Sequence, residues 1–538
     1  LNTDRLTHSQ DKISYVIFVL LILIGVFSLL MITRNGIGIS PDSVTYLGAA
    51  QNLVNGDGLT IPYGVADNPP MTHHAPLYPA LVAFLGALSD LELMQVARLV
   101  NILLFASNLA LLYWILRTLL PDQLWLPLVG VVVMMVSPTI LRIHTMVWSE
   151  PLFLFLTLLG LYLLSVFLSQ SGKIYLLSIS GIVLGLAFLT RYAGVVFVVV
   201  GAVSIMLLSR EPLRIKLRDL LIFCCLSALP SGLWLMRNSI QAGTATSRDI
   251  LFHPIGKAQI IQLVDTFSNW MLVPTWIPTS FRTIFLLGFL LLVVVVLTIV
   301  LRSSGADDRK ENILILWGWI PELIKIVILF ILLYLLFLVI SISFVDANTP
   351  LDERILSPVF VAGLIIIVYA FGRLLTAEST HRYVKYLIVT LLLVFSVVNV
   401  MNISDWIKVR QTAGMGFSNS RWKDSGAIAW LNELPSGETV YTNAPEVVYL
   451  YTPHLALRLP VEQFSVTGQD NLNYREDLHV VKSQLIQSDG YVLYFPLPGY
   501  TTQADETRLV EDLGLCLITK TANGNLYHLS EPGEPCQF

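Results

Sequence analysis

From residue 13 onward the chain alternates long apolar runs with short polar connections. About eleven runs approach the roughly 20 residues a helix needs to cross a bilayer: 13-33, 93-116, 124-141, 151-169, 174-190, 193-208, 219-236, 283-301, 322-343, 355-372 and 385-403. The sixth is short, and the stretch around Trp317 to Pro321 fits the pattern least. Between the first two runs lies a long connection with its own periodicity. There Ser40 and Pro41 read as cap and first position of an amphipathic helix, SVTYLGAAQNLV, and APLYPALVAFLGAL reads as a second surface helix. Residues 404-538 hold no span-length run. Short strands in ETVYTN, HLALRLP, YVLYFPL and CLITKTANGNLYHL, helices in DSGAIAWLNEL and LHVVKSQLIQ, and a turn at Asn523-Gly524 predict a small water-soluble α/β domain. The fold class expected is therefore mainly α, a polytopic membrane domain over 1-403 followed by an α/β domain over 404-538.

Composition agrees, with 55% hydrophobic and only 13% charged residues among 538, too apolar for a soluble protein. Net charge is -4 and diffuse, with no basic stripe, so nucleic acid is not an expected partner. Cations set the orientation. Arg210, Arg214, Lys216 and Arg218 share one connection, Arg302, Arg309 and Lys310 another, and Arg373, Arg382 and Lys385 a third. All three fall on one side if the eleven spans alternate. That side is expected to be cytoplasmic, with the N-terminus inside and the C-terminal domain outside. The first span is too long, and its flanks too unlike a cleavage site, for a removed signal peptide. Of the four cysteines, Cys516 and Cys536 lie in the exterior domain, where a disulfide is permitted, while Cys224 and Cys225 are adjacent within a span. Neither pair has zinc-site spacing.

The candidate chemistry gathers on the exterior side. Asp42 opens the first surface helix, either as a reactive carboxylate at a lipid boundary or as an acid complementing the helix dipole. His73 and His74 precede the second helix, as donors to a lipid phosphate, as metal ligands, or as plain loop residues. Glu150 starts the fourth span ahead of Pro151, where a carboxylate is either functional or a helix-start residue. Arg191, Arg237 and Arg354 stand on the exterior side against the charge bias, and guanidinium groups there suit a lipid phosphate; snorkelling is the rival reading for any one of them.

Taken in order, PDSVTYLGAAQNL, HHAPLYPAL, SEPLFLFLTLLGLYLL, GLAFLTRYAGVVFV and DERILSPVF resemble the GT-C superfamily of polyprenol-dependent membrane glycosyltransferases, in the branch of protein O-mannosyltransferases and the lipid A aminoarabinose transferase. The likeness spans roughly residues 13-400. It implies that Asp42 deprotonates or orients an acceptor nucleophile for attack on a polyprenyl-phosphate sugar, with inversion, and that the enzyme sits in a bacterial plasma membrane. It also implies donor-phosphate contacts from His74, Arg191, Arg237 and Arg354 and substrate contacts from Tyr46, His73, Tyr78 and Glu150. The acceptor is expected to be a lipid, glycan or protein.

Two departures stand out. Ser43 takes the place of a second acid found after the catalytic Asp in many relatives, and His73-His74 replaces a Glu-Lys pair. The missing acid argues against a paired-acid metal site, although Asp57 or Asp67 remain near in sequence; no metal and no other cofactor is expected. The rival readings are a non-catalytic scaffold or accessory subunit, and a transporter of a lipid-linked sugar. A transporter is expected to show mid-membrane ionisable residues and repeated halves. Here the polar candidates cluster at one face.

Overall fold

A computed structural model describes residues 2–170, 173–303, 320–376, 382–464, 466–496 and 505–529. The chain is mainly helical, with one small sheet. Helix α1 (Asn2–Ile32) leads into a long first loop carrying α2 (Pro41–Asn55) and α3 (Leu77–Ala87). There follow α4 (Leu93–Leu119), α5 (Leu126–Met135), α6 (Pro138–His144), α7 (Glu150–Ser169), α8 (Ile174–Thr190), α9 (Val195–Leu208) and α10 (Leu213–Ala242). The helical part closes with α11 (Lys257–Trp270), α12 (Thr279–Ser303), α13 (Glu322–Phe344), α14 (Ser357–Thr376) and α15 (Arg382–Ala413).

Every one of the eleven predicted spans falls on a helix. Among the described residues, seven are long and apolar enough to cross a membrane, or eight when α5 and α6, bent by 60° at a break, count as one. The bend falls at Pro138, which cannot extend the α5 hydrogen-bond ladder. The run at 283-301 lies on α12, and the remaining two form the shorter apolar helices α8 and α9. At about 1.5 Å per residue, the 17 residues of α8 and 14 of α9 fall short of a hydrocarbon core about 30 Å thick. Close helix packing relies on small residues. A Cβ on Gly185 of α8 would come within 2.6 Å of the Ser227 carbonyl oxygen on α10, so these two helices touch backbone to backbone. Arg309 and Lys310, part of the basic connections, lie outside the described residues.

Helix α15 continues ten residues beyond the last apolar run and ends at Ala413. Beyond it come α16 (Ser420–Lys423), α17 (Gly426–Leu431), β1 (Thr439–Thr442), α18 (Pro445–Tyr451), β2 (Leu455–Arg458), α19 (Tyr474–Ser488), β3 (Tyr491–Tyr494), α20 (Glu506–Leu513), β4 (Leu515–Lys520) and β5 (Asn525–Leu529). The sheet order is β2-β1-β3-β5-β4. Strand β1 runs parallel to β2 and β3, while β5 pairs antiparallel with β3 and β4. The predicted β4-β5 turn is present, Thr521 N–H donating to Gly524 O at 3.1 Å. Cys516 lies on β4, but Cys536 is outside the described residues; Cys224 and Cys225 are free.

Two short backbone pairings join this domain to the membrane part. Ile39 pairs with Gly416 immediately before the Asp42 helix, beside a Gly38–Met146 pairing internal to the membrane part. Gly64 pairs in parallel with Leu457, its N–H reaching Ala456 O at 2.8 Å while Arg458 N–H returns to Gly64 O at 3.0 Å. The first loop thus covers the β2 edge of the sheet, which would otherwise be an open template for another strand.

Gly416 has φ +58, and a Cβ there would sit 1.9 Å from the Ile39 carbonyl oxygen. Gly416→Ala is therefore expected to destabilise the junction, with a cost on the order of 1–3 kcal/mol from the left-handed backbone alone. A lowered apparent melting temperature and faster proteolytic release of residues beyond 413 are the expected readouts; unchanged values in both would refute the strained junction.

Candidate active site

Helix α2 starts with a capping box. Ser40 Oγ accepts from Ser43 N–H at 3.4 Å, and Ser43 Oγ accepts from Ser40 N–H at 3.0 Å. Ser43 is fully buried, so the position expected from the resemblance to hold a second acid here closes the cap. Trp148 Nε1 donates to Ser40 Oγ at 2.8 Å and fixes the helix start from the far side. Helix α2 is more deeply buried than an interfacial helix needs: nine of its 15 residues are buried, because α3, α4 and α18 enclose it.

The cap aims Asp42 at Arg354. Asp42 Oδ2 lies 2.6 Å from Arg354 Nη2. Arg354 Nε also donates to Glu150 Oε1, which takes a second guanidinium, that of Arg191. The Arg354 guanidinium stacks over Trp148 at 4.2 Å. Arg191 Nη1 further reaches Ser149 Oγ at 3.4 Å, and that hydroxyl meets Tyr46 OH at 3.2 Å. Two carboxylates and two guanidiniums from four elements thus form one chain, Asp42-Arg354-Glu150-Arg191. The Glu150 side chain is only 3% exposed, and its Oε2 has no hydrogen-bond partner.

Tyr46, His74, Tyr78 and His73 form a second layer. The Tyr46 ring meets those of His74 and Tyr78 edge-on at 5.2 and 5.4 Å, and the His73 and His74 rings are 5.0 Å apart. Tyr78 OH donates to Asn101 Oδ1 at 3.1 Å. Tyr192 pins the His-His segment by donating to Thr72 O at 2.7 Å. Arg237 stands apart from the ionic chain: it stacks on Trp234 at 4.8 Å, donates to Asn238 Oδ1 at 3.0 Å, and approaches the Leu59 and Met71 carbonyls at 3.5 Å. Its contacts support the first loop. Sequence reasoning missed Arg248, whose Nη2 is 3.4 Å from His73 Nε2 and whose guanidinium lies over Tyr192 at 5.4 Å. The same argument that singled out Arg191, a cation against the charge bias, applies to it. Also missed were Trp148 and Ser149, both next to Glu150.

Burial, the largest single influence, pulls the Asp42 carboxyl upward, but the Arg354 charge and hydrogen bond, with Arg191 and the neighbouring His74, together outweigh it and hold Asp42 well below the usual carboxylate range. Burial keeps the His74 imidazole low and therefore neutral at neutral pH, so the compensating charge there is that of the arginines. His73 is pushed down to about 3 by burial and then by Arg248. Burial, then the Asp42 charge, push Tyr46 up to about 12. For Arg354, burial opposes the cation, yet Glu150 and Asp42 more than restore it. A lowered carboxyl stabilises the fold above its unfolded pKa and loses that contribution only as pH falls through the folded value. The Asp42-Arg354 pair thus persists through mild acid.

Asp42 is 32% exposed, and it opens into a cavity of about 1340 Å³ lined by the first loop, His73, His74 and the C-terminal domain. A second cleft of about 520 Å³ lies among Val133, Trp270, Phe360 and Phe395 and reaches Glu353, the neighbour of Arg354. Among the described residues, no three His, Cys, Asp or Glu side chains are grouped to hold a metal ion.

The family model for dolichyl-phosphate-mannose-protein mannosyltransferase matches residues 73–234, which include His73, His74, Tyr78, Glu150 and Arg191 but not Asp42, Arg237 or Arg354. No curated protein matches the chain by sequence. Solved structures that share its fold include three membrane transferases. ArnT from Cupriavidus metallidurans bound to undecaprenyl phosphate has a TM-score of 0.55 at 12% identity, covering 95% of this chain and 97% of that one. The oligosaccharyltransferase of Archaeoglobus fulgidus, in complex with zinc and sulfate, gives 0.52 at 11%, covering 88% and 68%. The arabinofuranosyltransferase AftD from Mycobacteria gives 0.52 at 14%, covering 96% of this chain and 40% of that one. At such identities the likeness is one of fold.

The charge argument is testable without substrate. In wild type, Asp42 is expected to stay ionised below pH 3.8, followed by carbon NMR of labelled aspartate in lipid. In Arg354→Met burial remains without its counter-charge, and Asp42 is expected to titrate at or above the ordinary carboxylate range. An unchanged titration in that variant would show that Arg354 does not set the charge of Asp42.

Proposed function

We propose that this chain, whose fold is that of the GT-C membrane glycosyltransferases, moves a sugar from a polyprenyl-phosphate carrier to an acceptor at the exterior face of a bacterial plasma membrane. The observation that carries the proposal is the Asp42 carboxylate, capped, clamped by Arg354 and open to a large cavity. The undecaprenyl phosphate bound to ArnT is a carrier of the proposed class. Here the cleft beside Glu353, of mixed lining, offers Val133, Trp270, Phe360 and Phe395 to an isoprenyl chain, which would bring its phosphate toward Arg354 and Arg191.

The residues suggest how the step proceeds. The acceptor oxygen attacks the anomeric carbon as the bond from that carbon to the carrier phosphate breaks, and the electron pair leaves with the phosphate. Attack opposite the leaving group inverts the centre. Asp42 accepts a hydrogen bond from the acceptor hydroxyl and orients it; the proton passes to Asp42 late, once the new bond has made that oxygen strongly acidic, because a carboxylate so depressed is a weak base. Arg354 and Arg191 gain a partner as the leaving phosphate becomes more negative. Since Arg354 already supplies positive charge beside Asp42, no divalent cation is required. The scaffold reading explains the cap on Asp42 but not its exposure to a cavity.

Asp42→Asn is expected to lower transfer at least about a thousandfold with carrier binding little changed, on the order of an oriented, charged hydrogen bond made in the transition state. Wild-type transfer is expected to survive EDTA. A polyprenyl-phosphate hexose or pentose panel with membrane extract as acceptor checks both, and full activity of Asp42→Asn would remove Asp42 from the mechanism.

A further inference from the structure

The cavity above Asp42 has an unusual charge for an enzyme that handles lipid phosphates. It is bordered by five carboxylates, Asp42, Asp67, Asp249, Glu446 and Asp477, against one arginine, Arg458. The Arg458 charge is already taken by Glu446, which is buried beneath it. His73 and His74 also line the cavity, and burial keeps both neutral. An anionic group entering here meets like charge at Asp67, Asp249 and Asp477; among the lining residues the one guanidinium, Arg458, is already paired, and Arg248, outside the lining, approaches only through His73, 3.4 Å from its Nε2.

The remaining polar and aromatic groups are of a different kind. Tyr63, Tyr441 and Tyr494 border the cavity, as do Gln463, Gln469 and Gln484. Carboxylates and amides accept hydrogen bonds from hydroxyl groups, and ring faces receive the carbon-hydrogen face of a sugar. At about 1340 Å³ the space exceeds the roughly 300–1,000 Å³ of a small-molecule pocket, so it suits several linked units. A polypeptide finds less here. Strand addition is the common way to hold an extended peptide by its backbone, and the β2 edge facing this cavity is already paired with Gly64.

We infer that the acceptor is an uncharged, hydroxyl-rich oligosaccharide, held between the first loop and the C-terminal sheet with one hydroxyl at Asp42; the inference rests on the transferase reading above. The carboxylates at the rim bind hydroxyls and turn phosphorylated acceptors away, while Glu446 and Arg458 hold the wall to which the first loop is fastened.

The test is binding without donor, using the full chain in neutral lipid nanodiscs. The probes are neutral hexose and pentose oligosaccharides of four to six units, the same compounds carrying one phosphate monoester, and a neutral hexapeptide, each followed by saturation-transfer NMR and titration. At least one neutral oligosaccharide is expected to bind about tenfold more tightly than its phosphorylated form, a preference that shrinks at high salt. The triple variant Asp67→Lys, Asp249→Lys, Asp477→Lys changes exposed side chains and is expected to remove or reverse that preference. Binding of no neutral oligosaccharide, equal or tighter binding of the phosphorylated form, or binding of the peptide alone would overturn the inference. Saccharide binding with the expected charge preference, but without Asp42-dependent transfer from any carrier, would uphold the saccharide cavity and count against the transferase reading.

Discussion

Everything at the site depends on how Arg354 is shared. A carboxylate removed from water is costly unless a cation and further hydrogen bonds replace the lost hydration. Here one guanidinium serves two carboxylates, Asp42 from the first loop and Glu150 from the start of α7, while Arg191 from the end of α8 completes the charge balance. Removing one member of such a set typically costs about 3–5 kcal/mol, because it leaves the others uncompensated. The arrangement therefore locks three helix ends and a loop into one geometry. It also leaves Glu150 Oε2 enclosed without a partner, while Asp42 is partly open to the cavity.

The C-terminal domain is fastened beside that network through backbone pairings, reinforced by Ser418 Oγ and Lys423 Nζ, which donate to the Ile37 and Asn35 carbonyls. Ile39 pairs with Gly416 three residues before Asp42, and Gly64 adds to the β2 edge. Tyr63, between these attachments, bonds Thr45 on the turn after Asp42 and lies 5.5 Å from the Tyr449 ring of α18. A shift of the sheet would be transmitted to α2 through these contacts, since packed interiors do not deform continuously. The domain is a wall of the cavity as well as a neighbour of it.

How much of this was legible in the sequence follows from the range of each interaction. The apolar runs and the strand alternation of the C-terminal domain depend on local periodicity, and each of those elements is present. Asp42, Glu150, Arg191 and Arg354 were individually conspicuous because an ionisable residue at a membrane boundary needs a reason. Their partnership was not, for Glu150 and Arg354 are 204 residues apart and nothing local pairs them. Arg237 shared the same signal but lies outside the ionic chain, on Trp234 and near the Leu59 and Met71 carbonyls, since charge bias identifies an anomaly without its contacts. Span length was less legible: α8 and α9 are apolar throughout yet short, a tolerance that comes from neighbours such as α10, against which Gly185 packs. Ser43 read as a lost acid. The capping box shows that the position is occupied by the hydrogen bonds that start the helix.

The clamp on Asp42 also narrows the chemistry. A general base works best when its pKa lies near the working pH, and a carboxylate depressed by Arg354 is far from that. What it does well is remain charged, hold one geometry and accept a hydrogen bond, which serves a reaction whose bond to the leaving group breaks early. Phosphate is such a leaving group, needing no proton to depart. A weak base beside a good leaving group is therefore a consistent pair, whereas a strong base there would itself attract a proton and lose the charge that keeps Arg354 in place. On the proposed transfer, the same carboxylate both holds the site together and sets how much of the reaction is driven by the departing phosphate.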